Sequence, residues 1–250
     1  MAGAALHFHG DLNDFLPAHR RDVTFSHTFP EQSSIKDLVE SLGVPHPEVA
    51  CMLVNGRAVD FSYLVRDGDT IAVYPASAPP AQADACPALR PPPPPRFVLD
   101  THLGRLAAYL RMLGFDTLYW NHRDDEDLAR CSSEEGRILL TRDLGLLKRG
   151  IVVHGAFVRA TDPQIQILEI LRRFDLFDLV APFGRCMRCN GGLLAVSKEE
   201  VAGRVPPLTQ QVYDTFWSCQ SCNQVFWAGS HYQRMSGLIE QVMQAKEGRK

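Results

Sequence analysis

"FVLD" (residues 97–100) and "RILLTRD" (residues 137–143) each contain a short, mainly apolar run and end in an aspartate. Continuous apolar runs of this length predict buried strands. Asp100 ends the first run, Asp143 follows the second, and each aspartate leads into a pattern typical of a helix. Carboxylates placed directly after two buried strands require an explanation.

Strands and helices alternate after residue 96, and this alternation predicts an α/β fold with a parallel sheet. The predicted strands lie at residues 97–100, 115–120, 137–141 and 151–155. In the last predicted helix of this region, Asp162 is a good N-cap and Pro163 occupies the first helical position. Because ligands bind at the carboxyl ends of parallel strands, we expect Asp100 and Asp143 at the same edge of the sheet.

A run of acidic residues lies between the two strands, in "RDDEDLARCSSEEGR". Its acids, at the start of a helix predicted over residues 124–135, are Asp124, Asp125, Glu126 and Asp127. Clustered carboxylates repel one another unless a cation neutralises them, and hard oxygen ligands favour Mg²⁺ or Mn²⁺. An alternative remains open, because acids near a helix N-terminus also favour the helix dipole and serve as caps.

Four of the seven cysteines form two pairs with metal-ligand spacing: Cys186 with Cys189, and Cys219 with Cys222. Two C-x-x-C knuckles separated by 29 residues can supply four thiolates to one tetrahedral Zn²⁺. Four protein ligands leave no open position, so the predicted zinc is structural. A redox C-x-x-C pair would account for one knuckle only. Seven cysteines in a chain that is not expected to be secreted argue against a disulfide framework, and Cys51, Cys86 and Cys131 are scattered.

The first 75 residues have the pattern of a small α+β domain. "SSIKDLVESLG" predicts a helix capped by Ser33 or Ser34, and Asn55-Gly56 predicts a hairpin turn. A strand is predicted around Val23 and Phe25. With further strands in "VACMLVNGRAV" and "DGDTIAVYP", this order suggests a β-grasp, ubiquitin-like fold.

A proline-rich segment at residues 76–96 separates this domain from the rest. The prolines at 91–95 are consecutive, and such a run predicts a semi-rigid polyproline II rod. The expected organisation is a β-grasp domain (1–75), a linker (76–96), an α/β core (97–180), a zinc module (181–236) and a C-terminal tail (237–250).

Composition and charge exclude few functions. The chain has 45% hydrophobic and 22% charged residues, and its net charge of -3 does not by itself indicate nucleic-acid binding. No apolar run is long enough for a membrane span, and the first residues lack the pattern of a signal peptide. We therefore expect a cytoplasmic protein without a membrane partner.

The sequence "FVLDTHLGRLAAYLRMLGFDTLYW" with "DDEDLARCSSEEGRILLTRDLGLL" resembles the Mut-seven C-terminal RNase domain family. The resemblance continues through "GRCMRCNGGL", "RVPP" and "FWSCQSCNQVFWAGSHYQRM", and so covers about residues 96–236. The segment "GVPHPEVACMLVNGRAVDFSYLVRDGDTIAVYP" is similar to the ubiquitin-like domain that often precedes this domain in bacterial proteins. The resemblance implies a PIN-like nuclease core followed by a zinc ribbon.

Carried over by position, the resemblance implies that Asp100, Asp125 and Asp143 are catalytic acids that hold one or two divalent metals. Asp124 is one register away from Asp125 and competes with it as a ligand. The zinc ligands match at the four knuckle cysteines, although the second knuckle has Gln-Ser where a proline is usual.

Four residues outside these sets are candidate RNA contacts. Arg142 and Lys148 near the acidic edge can meet phosphate, while Arg188 and Trp227 beside the knuckles can contact a base or its phosphate. Taken one at a time, the aromatic residues are better explained by the core that a small zinc module needs.

Two functions follow from these residues. The first is an Mg²⁺- or Mn²⁺-dependent ribonuclease, with RNA as substrate and the zinc ribbon aiding RNA binding. The second is a non-catalytic RNA- or ribosome-binding adaptor, and in either case the β-grasp domain can dock on the ribosome or on RNA-processing proteins. A sulfur-carrier role for that domain is rejected, because such carriers end in Gly-Gly and this chain has no glycine from residue 69 to residue 103.

Overall fold

The structure is a computed structural model that describes residues 1–80, 86 and 94–247. The chain divides into two compact units, residues 1–102 with 122–159 and residues 103–121 with 160–250. The domain limits expected from the sequence remain predictions. Most of the predicted polyproline rod at residues 91–95 lies outside the described residues.

The first unit begins with a mixed five-stranded sheet in the order β2-β1-β5-β3-β4. Its strands are β1 (Ala2–Phe8), β2 (Phe25–Phe29), β3 (Val49–Val54), β4 (Arg57–Val59) and β5 (Thr70–Pro75). β1 and β5 are parallel, and the other neighbours are antiparallel. Helix α1 (Ile35–Ser41) packs its apolar face into the same buried cluster as the strands. This arrangement is consistent with the predicted β-grasp fold.

Local signals in this region are confirmed where they depend on one or two residues. Ser34 caps α1 by accepting from the N–H of Asp37 at 3.1 Å. Asn55 and Gly56 have φ values of 50° and 78°, as the predicted hairpin turn requires. The strand predicted around Val23 starts later, at Phe25, and Val23 is exposed.

The first unit also contains three parallel strands, with β8 between β6 and β9. They are β6 (Phe97–Leu99), β8 (Ile138–Thr141) and β9 (Gly155–Phe157). The strand numbered β7 belongs to the second unit and is described with it. Helices α3 (Asp125–Glu135) and α4 (Leu144–Leu147) lie against them. Every residue of β6 and β8 is buried, so the prediction of two buried strands is confirmed.

The strand predicted at residues 151–155 is wrong by about four positions. Ile151 and Val153 are exposed, and the residues that pair with β8 are Gly155 to Phe157. A Cβ atom on Gly155 would lie 2.5 Å from Leu147 Cδ1 and 3.1 Å from the Leu139 carbonyl oxygen. The strand therefore starts where glycine permits the close approach of two backbones, which an apolar pattern does not reveal.

The β-grasp part of the first unit makes polar contacts with β9 and with the residues on either side of it. Glu48 is 1% exposed and accepts from the backbone N–H of Phe157 and from Arg159 Nη2. The ring nitrogens of buried His46 each lie 2.6 Å from an acceptor, Glu40 Oε1 and the Val152 carbonyl oxygen.

We expect Arg159→Ala to lower the free energy of unfolding by about 3 kcal/mol, because it removes the guanidinium that neutralises a buried carboxylate. Arg159 also contacts Asp14 Oδ2 at 2.9 Å and lies 5.0 Å above the ring of Phe15. Chemical denaturation measures the change, with Arg149→Ala at an exposed arginine as the control. If charge is the cause, adding Glu48→Gln to Arg159→Ala recovers part of the loss. A loss as small as that of the control would contradict the prediction.

Cys51 and Cys86 form a disulfide, with their Cα atoms 5.4 Å apart. The expectation that the chain has no disulfides is wrong for these two residues. The two cysteines are 35 positions apart, in β3 and in the proline-rich segment, so spacing carries no signal of the bond. Cys131 is a free, buried thiol whose pKa burial and the neighbouring Glu135 raise to about 11.

The second unit contains helices α2 (Gly104–Met112) and α5 (Pro163–Arg173), which pack on each other, and strand β7 (Thr117–Tyr119). As predicted, Asp162 caps α5 and Pro163 is its first residue. A three-stranded antiparallel sheet follows, built from β10 (Leu193–Val196), β11 (Phe216–Cys219) and β12 (Val225–Trp227). Helix α6 (Pro207–Val212) lies between β10 and β11, and helix α7 is Ser230–Glu247. In the parts of the chain that the structure describes, no helix is long and apolar enough to span a membrane.

Candidate functional site

Asp100 and Asp143 lie at the same edge of the parallel strands, as the sequence predicts. Leu99 of β6 is paired with Leu140 of β8, so Asp100 lies beside Thr141, and Asp143 follows two residues later. Asp100 is 7% exposed, whereas Asp143 is exposed. We call Asp100, Thr141 and Asp143 the acidic edge.

The Thr141 hydroxyl connects the two acids. It donates to Asp100 Oδ2 at 2.7 Å and accepts from the backbone N–H of Asp143 at 2.9 Å. The other oxygen of Asp100 accepts from the backbone N–H of Thr101 at 2.6 Å. These hydrogen bonds offset the free-energy cost of burying the Asp100 carboxylate. Thr141 therefore fixes the orientation of Asp100 relative to the chain that carries Asp143.

Two of the predicted acids act as helix caps. Asp143 Oδ1 accepts from the N–H groups of Gly145 and Leu146 at the start of α4. Asp124 Oδ1 accepts from the N–H of Asp127 at 2.8 Å and caps α3. The cap interpretation left open by the sequence is thus correct for both residues. Capping occupies one oxygen of Asp143, and its Oδ2 makes no hydrogen bond with the described residues.

Asp125 is the first residue of α3, and its carboxylate makes no hydrogen bond within the described part of the chain. Because α3 ends at Glu135, just before β8 begins at Ile138, its first turn points toward the edge where β8 ends. Even so, Asp100, Asp125 and Asp143 do not form a group whose ligand atoms all lie within 4.8 Å of one another. The structure brings Asp100 and Asp143 to one edge, but the three acids together are not a close group.

The two basic residues predicted near this edge are engaged in contacts within the protein. Lys148 Nζ donates to the carbonyl oxygen of Glu40 at 3.1 Å, and Arg142 Nη1 donates to that of Arg159 at 3.2 Å. Lys148 is half-buried and Arg142 is exposed. Of the two, Arg142 is the better placed to contact an anion from solvent.

The structure brings Cys186, Cys189, Cys219 and Cys222 together, as predicted. Their sulfur atoms all lie within 4.8 Å of one another, and two cross-knuckle pairs are separated by 3.7 Å and 3.4 Å. Four sulfurs bound tetrahedrally at the usual Zn–S length lie about 3.8 Å apart. The donor set and its spacing thus fit a metal such as zinc. We call residues 181–236, which contain both knuckles and β10–β12, the cysteine module.

The two knuckles have the same backbone geometry. In the first, the Cys186 N–H donates to the Gly191 carbonyl oxygen, and in the second the Cys219 N–H donates to that of Gln224. Asn190 and Asn223 follow the second cysteine of each knuckle with φ values of 70° and 57°. Asparagine tolerates this left-handed conformation better than most residues.

Four residues in the neighbourhood of the first knuckle were not identified from the sequence. Buried Arg111 of α2 donates to the carbonyl oxygens of Met187 and Arg188 at 3.0 and 3.2 Å. Asn190 Oδ1 accepts from the N–H of Thr117, and its Nδ2 donates to Asp116 Oδ1. Since Arg111 is about 75 positions from the knuckle, no local pattern could have revealed its role.

Burial lowers the pKa of Arg111. The nearby Cys186, Cys189 and Asp116 act in the opposite direction and raise it, but burial has the larger effect. Burial raises the pKa of Cys186 to about 12. Burial also acts to raise the pKa of Cys219, but N–H groups of Cys222 and Ser221 outweigh it and lower that pKa to about 7. Backbone donors therefore favour a thiolate in the second knuckle, which is the form that binds a metal.

The remaining predicted RNA contacts belong to the cysteine module. Arg188 is exposed between the two cysteines of the first knuckle, and its carbonyl oxygen accepts from Arg111. Trp227 is half-buried at the end of β12 and lines a cavity.

We expect Thr141→Val to reduce any activity that depends on Asp100 and Asp143 by about 10- to 100-fold, the usual effect of removing a partner that orients a ligand. Valine keeps the volume of the buried side chain but loses the hydroxyl that bonds Asp100 Oδ2. Thr141→Ser keeps the hydroxyl and should restore most of the activity. The ratio of the two variants in an RNA cleavage assay is the measurement, and equal activities would contradict the role of Thr141.

Two family models match the chain and divide it near the proline-rich segment. The model described as Mut7-C RNAse domain matches residues 95–239, and the one described as Mut7-C ubiquitin matches residues 1–80. No curated protein matches the chain.

One solved structure is similar, described as "Putative molybdopterin converting factor, subunit 1" from Pyrococcus furiosus. It is 17% identical, with 30% of this chain and 98% of that chain covered, and a TM-score of 0.24. A likeness this weak adds no support for fold or function.

Proposed function

Because the chain belongs to the Mut7-C RNAse domain family, we propose that it is a ribonuclease that hydrolyses RNA phosphodiester bonds with a divalent metal at the acidic edge. The PIN-like character of the core and the structural role of zinc in the cysteine module are parts of the same proposal. RNA as the substrate class follows from the family description. A cytoplasmic location is also proposed.

The observation that carries the proposal is the hydrogen-bonded connection from Asp100 through Thr141 to Asp143. Two acids from adjacent parallel strands lie at one edge, and a buried hydroxyl orients one of them. A purely structural cap would require Asp143 but would not require a buried aspartate beside it. The pair therefore has a feature that helix capping leaves unexplained.

The acids fit Mg²⁺ or Mn²⁺ by their chemistry, since both ions prefer carboxylate oxygens. Asp143 Oδ2 and both oxygens of Asp125 are without hydrogen bonds among the described residues, and each oxygen of Asp100 retains acceptor capacity beyond its present donors. Asp125 is preferred over Asp124 as the third ligand, because Asp124 Oδ1 already caps α3.

When bound, the cation would lower the pKa of a bound water and offset negative charge on the phosphate. The chain's own part is to hold the acids in place. Thr141 and the N–H of Thr101 orient Asp100, and the first N–H groups of α4 orient Asp143. Arg142 is exposed next to Asp143 and can contact a phosphate of the RNA.

The test is cleavage of a panel of structured and single-stranded RNAs by the full chain. Weakly bound metals are removed under conditions that retain zinc, which is verified by elemental analysis, and Mg²⁺ or Mn²⁺ is then added back. We expect cleavage only after the addition. A preparation carrying Asp100→Asn and Asp143→Asn detects contaminating nucleases. Binding of RNA without cleavage in every condition would contradict the proposal.

That outcome would favour the second candidate function, a non-catalytic adaptor that binds RNA or the ribosome. One observation supports this candidate, because Asp124 and Asp143 both act as caps and the three predicted acids do not form a close group. In that case the β-grasp domain would provide the contact with ribosomal or RNA-processing partners.

A further inference from the structure

The aromatic residues of the cysteine module are mostly absent from its core. The buried core consists of Val201, Val205, Phe216 and Val225. Trp217, Phe226, Trp227 and Tyr232 are only half-buried. The core uses Phe216 fully, and the partly buried Tyr213 and Trp227 pack against it. Packing against this core does not account for Trp217, Phe226 and Tyr232.

The half-buried aromatic side chains surround one cavity of about 500 Å³. Its wall includes α6, the β11–β12 hairpin, the start of α7 and the segment that precedes the first knuckle. The aromatic residues lining it are Phe183, Tyr213, Trp217, Phe226, Trp227 and Tyr232, and we call this space the aromatic cavity. Its volume is within the range of small-molecule sites, about 300–1,000 Å³.

Several of these rings are already arranged as a stack. The Tyr232 ring lies 4.5 Å from that of Phe183 at an interplanar angle of 25°, and 5.7 Å from that of Trp217 at 8°. Flat, nearly parallel rings that already stack on one another can extend the stack to another planar ring where a ring face borders the cavity. The indole N–H of Trp217 and the hydroxyl of Tyr232 make no hydrogen bond with described residues, so both are available to a polar ligand edge.

The charge of the lining favours an anionic ligand. Among the described residues that line the aromatic cavity, Arg185 is the charged one, and none is acidic. Its guanidinium contacts Asp116 at 3.5 Å and donates to the Asn190 carbonyl oxygen at 3.0 Å, which holds it in place. A planar, anionic ligand thus matches both the rings and the cation.

We propose that the aromatic cavity is a subsite for unpaired nucleobases of single-stranded RNA, which stack on Trp217 and Tyr232 while Arg185 attracts the adjoining phosphate. Stacking on aromatic side chains is the usual way in which proteins bind single strands without reading a sequence. The choice of RNA as the ligand rests on the proposed function. It also accounts for an RNA-binding protein with a slightly negative net charge, because stacking supplies affinity that the overall charge does not.

The experiment measures binding rather than cleavage, so that it does not depend on the nuclease proposal. The full chain carries Asp100→Asn and Asp143→Asn to prevent cleavage. Fluorescence anisotropy is recorded with a labelled single-stranded RNA of about eight nucleotides and with an abasic strand of the same length. We expect the abasic strand to bind at least about 5-fold more weakly, since each stacked base contributes about 5- to 150-fold.

Paired substitutions separate stacking from a structural role. Trp217→Leu and Tyr232→Leu should each weaken RNA binding by about 5- to 150-fold, whereas Trp217→Phe and Tyr232→Phe should change it only a few-fold. Leu194→Ala, at an exposed residue of β10 outside the cavity, is the control. Zinc content and thermal melting show whether each variant is folded. If a leucine variant does not fold, the comparison of abasic and normal strands in the parent chain still tests whether the bases stack.

Equal binding of abasic and normal strands would overturn the proposal, as would leucine variants that bind like their phenylalanine counterparts. Binding of a proline-rich peptide in the cavity in place of RNA would also overturn it and assign the aromatic cavity to a protein partner. Normal nuclease activity combined with either negative result would refute only this subsite. Stacking-dependent binding without nuclease activity would support the subsite and refute the nuclease.

Discussion

Asp100→Asn combined with Asp143→Asn should reduce metal-dependent RNA cleavage by more than about 100-fold, which is the upper end of what loss of a residue that merely orients a ligand costs. Asparagine keeps the size of each side chain and one oxygen acceptor but removes the negative charge that holds a divalent cation. Buried Asp100 can still accept from Thr141 or Thr101 after the change. The fold should therefore persist while the activity is lost.

Cleavage rates at saturating Mg²⁺ and Mn²⁺, together with thermal melting of each variant, measure this effect. Asp124→Asn is the matched control, because it also alters an acid near the edge but changes a helix cap. The control should keep most of the cleavage activity and nearly all of the stability, because asparagine caps a helix about as well as aspartate. Comparison with Asp125→Asn then identifies the third ligand. Undiminished cleavage by the double variant would place the active site elsewhere.

Cys219→Ser should remove the zinc and unfold the cysteine module. Among the described residues, the core cluster of this module has four buried side chains with a few partly buried ones against them, which is too little to stabilise a fold of this size without a metal. In small zinc domains the metal contributes about 10–16 kcal/mol of apparent binding free energy, and that energy is folding energy. Loss of one of four thiolates should therefore affect β10, β11 and β12 together.

Elemental analysis should give about one zinc per chain for the parent and close to none for Cys219→Ser. Hydrogen exchange should show that the amides of β10–β12 lose protection, whereas those of β6 and β8 in the other compact unit keep it. Cys131→Ala is the control, since it removes a buried thiol that has no part in the cluster. Full protection of the module without zinc would refute the structural role of the metal.

The features that the sequence revealed are those whose signal lies within a few neighbouring residues. The knuckles are an example, because each C-x-x-C pair brings two thiols onto one turn, and only the joining of two pairs needs the fold. The cap at Ser34, the helix start at Pro163 and the hairpin at Asn55-Gly56 are local in the same way. The strand-end position of Asp100 and Asp143 also follows from short apolar runs.

The sequence alternatives that stayed open concern residues with more than one local role. An aspartate before a helix can be a cap or a metal ligand, and the sequence pattern is the same for both roles. The structure shows that Asp124 and Asp143 cap helices and that Asp100 is buried beside Thr141. An aromatic residue beside a knuckle is equally ambiguous, and only burial separates Phe216 in the core from Trp217 at the cavity.

The sequence by itself determined the two buried strands, their acidic ends, the β-grasp pattern and the four-cysteine cluster, because short-range periodicity and spacing encode them. Tertiary structure alone decided the register of β9, the Thr141 connection between the acids, the support of the first knuckle by Arg111 and the docking of Glu48 on Arg159. Each of these depends on residues about 15 to 110 positions apart or on the close approach of two backbones. Contacts of that kind leave no pattern along the chain, since only folding brings their partners together.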